Sequence, residues 1–412
     1  MIEANRPLGG ADPAYLRRLM LFLSVATFFE GFDFFALAQI LPSVRAEFGL
    51  DEAGVGWLVA LINIGPVLAY LLVRKADVWG RRPVLTLTIV GYTIASLLSG
   101  LAPNVWLFGA AQLLARVFLV GEWAVAMIYA AEEFPAEQRG FVIGVIQACG
   151  SLGAVVCAGL VPLLLKTPPG WRMVYFVGAV PLIAIAFARR SIAETRRFRE
   201  QTQRPAARPL THIWGTPWRG RVLLIAGIWA ALYVCTTSAI TFWKEFALAE
   251  RGYTDADVGR SMTIAALASM PLTFLAGRIF DRLGRRRGAV VIFTICSASV
   301  VACYTLEARW ALTTALVCGI FGTTAVLPVV NAYTAELFPT DLRSDAFAWA
   351  NNLLGRLGAV VAPIAVGAAA GHVGWGPAVA ATAVGPLVAL GLILWRLPET
   401  RGRELEETSA LS

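Results

Sequence analysis

Five charged residues lie inside long apolar runs of the sequence, where charges are rare. They are Glu30, Asp33, Arg116, Glu122 and Arg356. A charged side chain at the centre of a membrane helix costs about 2.5–3.5 kcal/mol, so each is expected to face a cavity or a partner. A carboxyl group that moves between wet and dry surroundings can bind and release a proton. An arginine stays charged and can hold a carboxylate through two parallel N–H groups.

The apolar runs that position these charges dominate the composition. Of the 412 residues, 58% are hydrophobic and 15% are charged, whereas a soluble globular protein carries about 25% charged residues. Mean hydropathy is +0.67. The chain has room for twelve spans of about 20 residues each, so we predict an all-α integral membrane protein. The predicted helices are 18–41, 53–73, 84–102, 105–130, 140–165, 172–188, 222–243, 256–279, 288–306, 309–334, 344–370 and 374–396.

The charged motifs of the first half recur in the second half, 204 residues later. The matched pairs are Asp77 with Asp281, Gly80 with Gly284, Arg81 with Arg285, Glu132 with Glu336 and Arg139 with Arg343. Glu194-Thr195-Arg196 recurs as Glu399-Thr400-Arg401, one residue later in register. A duplicated half, with its charged motifs at the ends of apolar runs, is typical of a two-bundle membrane transporter.

The repeat and the loops predict the domain organisation. We expect an N-terminal bundle at 1–188, a polar linker at 189–221, a C-terminal bundle at 222–397 and a tail at 398–412. Of the 35 lysines and arginines, 26 lie on the side of the N-terminus and seven on the other side. The positive-inside rule then places both termini and the linker in the cytoplasm of a cell that holds the protein in its inner or plasma membrane.

The same residues argue against other classes of protein. The net charge of +8 comes from alternate loops and forms no single stripe for nucleic acid. The six cysteines lie in apolar runs without the spacing of a disulfide framework or a metal site. A Gly-rich phosphate loop is also missing, so we expect neither an enzyme nor a cofactor. The expected partners are the bilayer, a small-molecule substrate and a proton, and the expected oligomeric state is a monomer.

The Asp-x-x-Gly-Arg-Arg motif, at Asp77 and again at Asp281, resembles the signature of the major facilitator superfamily. Gly121-Glu122, Phe134-Pro135 and the closing run 397–407 are similar to its sugar-porter and metabolite–proton symporter branch. Gly31-Phe32-Asp33 is similar to aromatic-acid–proton symporters. The seventh predicted helix has Tyr233 to Ser238 and lacks the paired glutamines with which sugar porters hold hydroxyls, which argues against a sugar.

The resemblance implies two six-helix bundles, related by a pseudo-two-fold axis along the membrane normal. It also implies that networks of charged residues at the repeated motifs close a cytoplasmic gate. The gating candidates are Asp77, Gly80, Arg81, Glu132 and Arg139, with Asp281, Gly284, Arg285, Glu336 and Arg343. We expect Glu132 to pair with Arg139 and Glu336 with Arg343. The competing interpretation is that the arginines only anchor the topology in the lipid headgroups.

Helices 1, 4, 7 and 10 line the central cavity in the superfamily, which selects the residues for transport. We predict Asp33 as the site of the coupling proton and Glu30 as the second candidate. The alternative for Asp33 is a static ion pair with Arg116. Glu122 is expected to brace helix 4. The candidates for substrate binding are Arg116, Arg356, Tyr129, Trp229, Tyr233, Thr236, Thr237, Asn331, Asn351 and Asn352.

These residues predict a secondary active transporter, a proton-coupled symporter of a small organic acid that works by alternating access. One titratable acid and two fixed cations, in a chain otherwise poor in buried charge, favour that function. The alternatives are proton-coupled efflux of drugs or metabolites and uptake of a sugar or polyol. A more remote alternative is a membrane sensor that no longer transports, for which the short linker offers no signalling segment.

Overall fold

A computed structural model describes residues 13–179, 194–195, 210–339 and 342–401. Helices form almost all of these ranges, which contain no β-strand. In lipid, a helix satisfies every backbone N–H and C=O within its own segment, which is the solution that the apolar runs adopt. The prediction of an all-α protein is confirmed.

Helices α1 to α7 form the first half. They span Pro13–Phe48 (α1), Glu52–Asn63 (α2), Gly65–Trp79 (α3), Arg81–Gly100 (α4), Val105–Glu133 (α5), Ala136–Leu164 (α6) and 172–179 (α7, as far as it is described). Asp51 caps α2 and Asn104 caps α5, each accepting the backbone N–H three residues on. The predicted helix 53–73 is interrupted at Ile64, because Pro66 cannot donate a backbone hydrogen bond to the preceding turn.

Helices α8 to α16 form the second half, after a 3-10 turn at Leu210–Gly215. They span Arg219–Thr241 (α8), Trp243–Arg251 (α9), Asp255–Leu283 (α10), Arg285–Thr305 (α11), Arg309–Glu336 (α12), Arg343–Phe347 (α13), Leu357–Val373 (α14), Trp375–Ala380 (α15) and Val384–Arg396 (α16). A π-helical segment, Ala348–Gly355, joins α13 to α14, so the predicted helix 344–370 consists of three pieces. Gly252 ends α9 in the left-handed conformation, with φ of 60°.

Ten helices in the described ranges are long and apolar enough to cross a membrane. Large apolar side chains on them, such as Ile94, Leu163 and Val361, are more than half exposed, with 54%, 61% and 59% of their surface accessible. Such exposure on a helix that spans a bilayer is contact with lipid. Two predicted spans are not among the ten. α7 is described over eight residues, and the side chains of 273–281 in α10 lie outside the described residues.

The two halves meet on one side of the molecule. We call the face with the turns Gly80–Arg82 and Gly284–Arg286 the motif side, and the other face the opposite side. Near the opposite side, α2 packs on α14 through two glycines: a Cβ on Gly56 would lie 3.1 Å from the Gly367 Cα and would clash with the backbone of Pro363. These glycines allow the two backbones to touch there.

A second pair of helices joins the halves near the same face. α6 packs on α10, where a Cβ on Gly259 would lie 2.8 Å from the carbonyl oxygen of Ala158. Polar contacts reinforce this side, since the buried Lys244 of α9 donates to the Gln39 carbonyl of α1 at 2.6 Å. Close packing on the opposite side leaves the space between the halves toward the motif side.

Candidate functional site

A cavity of about 610 Å³ lies between the two halves. Helices α1, α3, α5 and α6 supply one wall. The other wall comes from α8, α12, the last residue of α13, the π-helical segment and Arg356 after it. Aromatic rings line both walls; they include Phe34, Phe35, Tyr70, Trp123, Trp229, Tyr233 and Phe347. A predominantly apolar pocket with a few converging polar groups is the usual form of a small-molecule site.

Arg356 supplies a fixed positive charge to the second-half wall. Its guanidinium carbon lies 4.7 Å from the centre of the Tyr233 ring, a cation–π contact that orients it. Its Nε is buried and has no hydrogen-bond partner among the described residues. The Tyr233 hydroxyl donates to Asn351 Oδ1 at 2.7 Å, and the ring stacks on Trp229 with centres 5.5 Å apart. The wall therefore presents a cation with a donor still available.

The π-helical segment places Asn351 and Asn352 in this wall. Gly355, at its end, packs against α8, where a Cβ would lie 2.6 Å from the Cβ of Trp229. π-helical turns widen the spacing of side chains and are frequent at functional sites. The sequence pattern of a continuous apolar helix gave no signal of this turn. Asn331 of α12 also lines the cavity, so five of the predicted binding residues of the second half come together with Tyr233: Trp229, Asn331, Asn351, Asn352 and Arg356.

Asp33 lies inside the first half and is not among the residues that line the cavity. Its side chain is 7% exposed and forms a hydrogen bond with the hydroxyl of Tyr92, from α4. Its Oδ1 has no hydrogen-bond partner among the described residues. Asp33 also interacts electrostatically with Arg116, from α5. The carboxylate thus stands in a buried polar site behind the cavity wall.

Arg116 lies between that site and the cavity. Its Nη2 donates to the Phe34 carbonyl at 3.1 Å, and its guanidinium lies 4.4 Å from the centre of the Phe34 ring. Phe34 faces the cavity, whereas Arg116 does not line it. We predicted Arg116 as a substrate-binding residue, and the structure places it one side chain behind the surface of the cavity.

Tyr92 is the member of this site that the sequence did not reveal. Besides Asp33, it interacts electrostatically with Glu30 and Glu122, so three carboxylates of α1 and α5 surround one phenol. Glu30 is 4% exposed and lines the cavity. A single tyrosine in an apolar helix carries no signal of such a role.

Three of the predicted binding residues, Tyr129, Thr236 and Thr237, lie away from the cavity lining, and so does Gln112. Tyr129 is fully buried in an apolar cluster of the first half, beside Val125 and Ala126. Thr237 follows Tyr233 by one turn of α8 but is not a lining residue. Gln112 donates to the Ser99 hydroxyl at 2.9 Å and so ties α5 to α4.

The repeated motifs form the same hydrogen-bonded network twice, at the motif side of each half. In the first-half network, Arg81 pairs with Glu132 at 3.1 Å, Thr195 donates to Glu132 at 2.7 Å, and Glu194 accepts the Arg81 N–H at 3.0 Å. In the second-half network, Arg285 pairs with Glu336 at 3.0 Å, Thr400 donates to Glu336, and Glu399 accepts the Arg285 N–H at 2.8 Å.

The Glu399 carboxylate is held in its charged form. Burial opposes ionisation, but the backbone N–H groups of Arg286, Arg285, Arg401 and Thr400 together bring the pKa of Glu399 below its usual value. Glu399 lies beyond the last helix, so the chain that follows α16 is fastened back onto the start of α11.

The partners of Glu132 differ from the prediction. Glu132 bonds to Arg81 and Thr195, while the guanidinium of Arg139 donates to the Phe134 carbonyl at 3.4 Å. Asp77 lies near the end of α3 and Asp281 near the end of α10, and the side chains of both fall outside the described residues. The bonds of the two networks given above each join residues of one half.

Known proteins resemble this chain over almost its whole length. The sequence model of the Major Facilitator Superfamily matches residues 23–363 and 236–411. A protein described as a probable 4-methylmuconolactone transporter, of Cupriavidus pinatubonensis, is 28% identical over 391 residues, which cover 92% of this chain and 89% of that protein. The cis,cis-muconate transport protein of Acinetobacter baylyi is 26% identical over 371 residues, 86% of this chain and 88% of its own.

The fold agrees with a solved structure of the same kind. The xylose transporter XylE from E. coli, in an inward open conformation, superposes with a TM-score of 0.75 over 96% of this chain and 99% of that one, at 17% identity. At that identity the likeness establishes the fold alone. The chain belongs to the Major Facilitator Superfamily, and it is a multi-pass membrane transporter and not an enzyme.

Proposed function

We propose that the protein carries a small organic acid across the membrane by alternating access, with the movement of a proton coupled to it. The observation that carries the proposal is Arg356, whose buried Nε has no partner among the described residues and whose charge faces the cavity. The one carboxylate among the described lining residues is Glu30, on the first-half wall, and no described lining residue of the second half balances the charge of Arg356. A carboxylate of the substrate is therefore the natural counter-charge.

The aromatic lining supports an acid with a flat apolar body. Phe34 and Trp229 come from different halves, and Tyr233 stacks on Trp229 beneath Arg356. The rings provide apolar area and the asparagines provide neutral hydrogen bonds to fix orientation. Transporters of muconate and of methylmuconolactone among the relatives agree with an acid of this class.

The coupling proton is assigned to Asp33. Protonation would neutralise the buried Asp33 carboxylate, whose Oδ1 has no hydrogen-bond partner among the described residues. It would also remove the negative charge with which Arg116 interacts. Phe34 links the pair to the cavity, because it carries both the carbonyl and the ring that hold Arg116. Loading of the cavity and protonation of Asp33 can thus influence each other through one side chain.

Orientation completes the proposal. If the motif side is cytoplasmic, as the distribution of lysine and arginine predicts, the structure is closed to the outside and open inward. Twelve spans, both termini in the cytoplasm and a location in the inner or plasma membrane follow from the same rule. Opening to the outside then requires the separation of α2 from α14 and of α6 from α10.

Uptake into proteoliposomes tests the proposal. A panel of aromatic and aliphatic carboxylates, a polyol and a cationic drug is offered with and without a pH gradient, to the parent and to Arg356→Gln and Arg356→Lys. We expect a carboxylate to be accumulated and Arg356→Gln to weaken its binding by about tenfold to a hundredfold, the loss of a charge-assisted hydrogen bond. Arg260→Gln removes an exposed arginine near the opposite side and is the matched control.

Uptake of a neutral polyol is the second candidate, because four amides line the cavity: Gln147, Asn331, Asn351 and Asn352. Amides suit hydroxyl groups, which carry no charge for Arg356 to balance. Accumulation of the polyol, with no response to Arg356→Gln, would favour that function. Expulsion of the drug driven by a pH gradient would instead establish proton-coupled efflux.

A further inference from the structure

A second pocket lies on the motif side of the second half, outside the central cavity. It has a volume of about 500 Å³ and lies between the end of α10, the start of α11 and the chain that follows α16. Eight residues line it: the arginines Arg286, Arg287 and Arg401, the aliphatic residues Leu283, Val290 and Leu394, and Gly284 and Glu399. The transport cycle proposed above makes no use of this pocket.

Among the described residues, three arginines and one carboxylate line the pocket, so its lining carries an excess of positive charge. Its one carboxylate, Glu399, accepts the backbone N–H groups of Arg285, Arg286 and Arg401 at 2.8, 2.9 and 3.1 Å. Glu399 is thus occupied with the backbone. Within the described part of the chain, the Arg287 guanidinium makes no ion pair.

Backbone carbonyls hold the other two guanidinium groups in place. Arg286 Nη2 donates to the Leu394 carbonyl, and Arg401 Nη1 donates to the Arg282 carbonyl at 2.6 Å. A guanidinium has five N–H donors, so each arginine keeps donors for a ligand. Arginines fixed in this way bind an anion with less loss of side-chain freedom.

The aliphatic rim places the pocket at the edge of the bilayer. Leu283, Val290 and Leu394 are 42%, 40% and 38% exposed at the motif-side ends of helices whose apolar faces meet lipid. Trp395, beside Leu394, is 72% exposed, and tryptophan is enriched at the level of the lipid headgroups. One wall of the pocket therefore suits acyl chains, and the other suits an anionic group at the same depth.

We propose that this pocket binds the phosphate of an anionic phospholipid from the leaflet on the motif side. Basic pockets between membrane helices bind such headgroups through clustered arginines. The first half provides an internal comparison: Pro83 stands where the second half has Arg287, so the repeated turn there has one arginine fewer. We therefore assign the lipid site to the second half.

Native mass spectrometry of the full-length protein tests the site, with phosphatidylglycerol and phosphatidylcholine titrated into detergent micelles. Each arginine near an anionic lipid contributes about fivefold in affinity, so Arg287→Gln with Arg401→Gln should weaken phosphatidylglycerol binding by about 25-fold. The pair Arg287→Lys with Arg401→Lys should retain most of it. Arg82→Gln, at the corresponding turn of the first half, is the matched control and should bind as the parent does.

Three results would overturn the assignment. Equal affinity of the parent for phosphatidylcholine would show a merely apolar groove. Unchanged phosphatidylglycerol binding in the double glutamine variant would place the lipid elsewhere. Inorganic phosphate that displaces the lipid at equal concentration would identify a site for soluble anions, because a lipid site also holds the acyl chains.

Discussion

The guanidinium of Arg45, at the end of α1, lies 3.3 Å from the carboxylate of Glu245 in α9. This ion pair joins the first half to the second on the opposite side, and only 4% of the Glu245 side chain is exposed. Arg45 also pairs with Glu52, a residue of its own half. One arginine therefore has a partner within its half and a partner across the closed side.

Glu245→Gln should favour the state that is open on the opposite side. The variant loses an ion pair between the halves but keeps the size of the side chain. A hydrogen bond between charged groups is worth about 1.5 kcal/mol or more, so the ratio of the two states should change about tenfold. Distances between spin labels at the ends of α2 and α14 would report it.

Glu52→Gln is the matched control for this pair, because it removes the partner of Arg45 that lies in the same half. The distance distribution of that variant should remain close to the parent. A shift of equal size in both variants would mean that Arg45 acts through the local structure of α1 and α2, and not through the contact between halves.

Gly56→Val should prevent closure of the opposite side. The added side chain would clash with the backbone of Pro363 and Gly367, which cannot move aside as a flexible side chain could. A cysteine placed in the cavity at Ser151 should then react with an impermeant maleimide added from the opposite side. The same cysteine in a protein that keeps Gly56 should stay unlabelled. Gly227→Val, on α8 with open space around the new Cβ, is the control and should label like the parent.

Asp33→Asn should abolish accumulation driven by a pH gradient and leave exchange of substrate across the membrane measurable. The amide keeps the size and the hydrogen-bonding capacity of the side chain but does not titrate. Tyr92→Phe removes the bonded hydroxyl and should alter the pH dependence of uptake without abolishing it. Full accumulation by Asp33→Asn would transfer the proton site to Glu30, the carboxylate that faces the cavity.

Acid should weaken the second-half network through Glu399. Its pKa lies below the usual value in the folded protein, so it contributes stability above the ordinary carboxyl pKa and loses it as the pH falls through the lowered one. The parent in detergent should therefore unfold at a lower temperature at pH 4 than at pH 7, and Glu399→Gln should show a smaller difference. Equal pH dependence in both proteins would rule out this residue.

Much of the fold follows from the sequence, because long apolar runs and charged loops report directly on helices in lipid. The break at Ile64 has a local cause in Pro66, although a proline alone does not decide whether a helix kinks or stops. The π-helical segment 348–355 contains no proline and lies within an apolar run. Its end packs closely against Trp229 of α8, so tertiary packing, absent from a local pattern, decides where that break occurs.

The arrangement of the site also follows only in part from the sequence. The sequence identified Glu30 and Asp33 as buried charges, and their spacing places them about 60° apart around α1. That difference is enough for Glu30 to face the cavity and for Asp33 to point into the first half beside Tyr92. Which neighbour each one meets depends on the rotation of α1 in its bundle. Glu132 illustrates this too, since it pairs with Arg81, 51 residues away, and not with the nearby Arg139.

The two motif-side networks carry a consequence for how the protein arose and can be divided. Glu194 and Thr195, at the start of the linker, make the same bonds as Glu399 and Thr400 after the last helix. The beginning of the linker therefore corresponds to the chain that follows the last helix, as expected if the two halves are copies of one unit. A chain cut between residues 200 and 209 would leave each fragment with its own complete fastening. Co-expressed as separate polypeptides, the two fragments should reassemble.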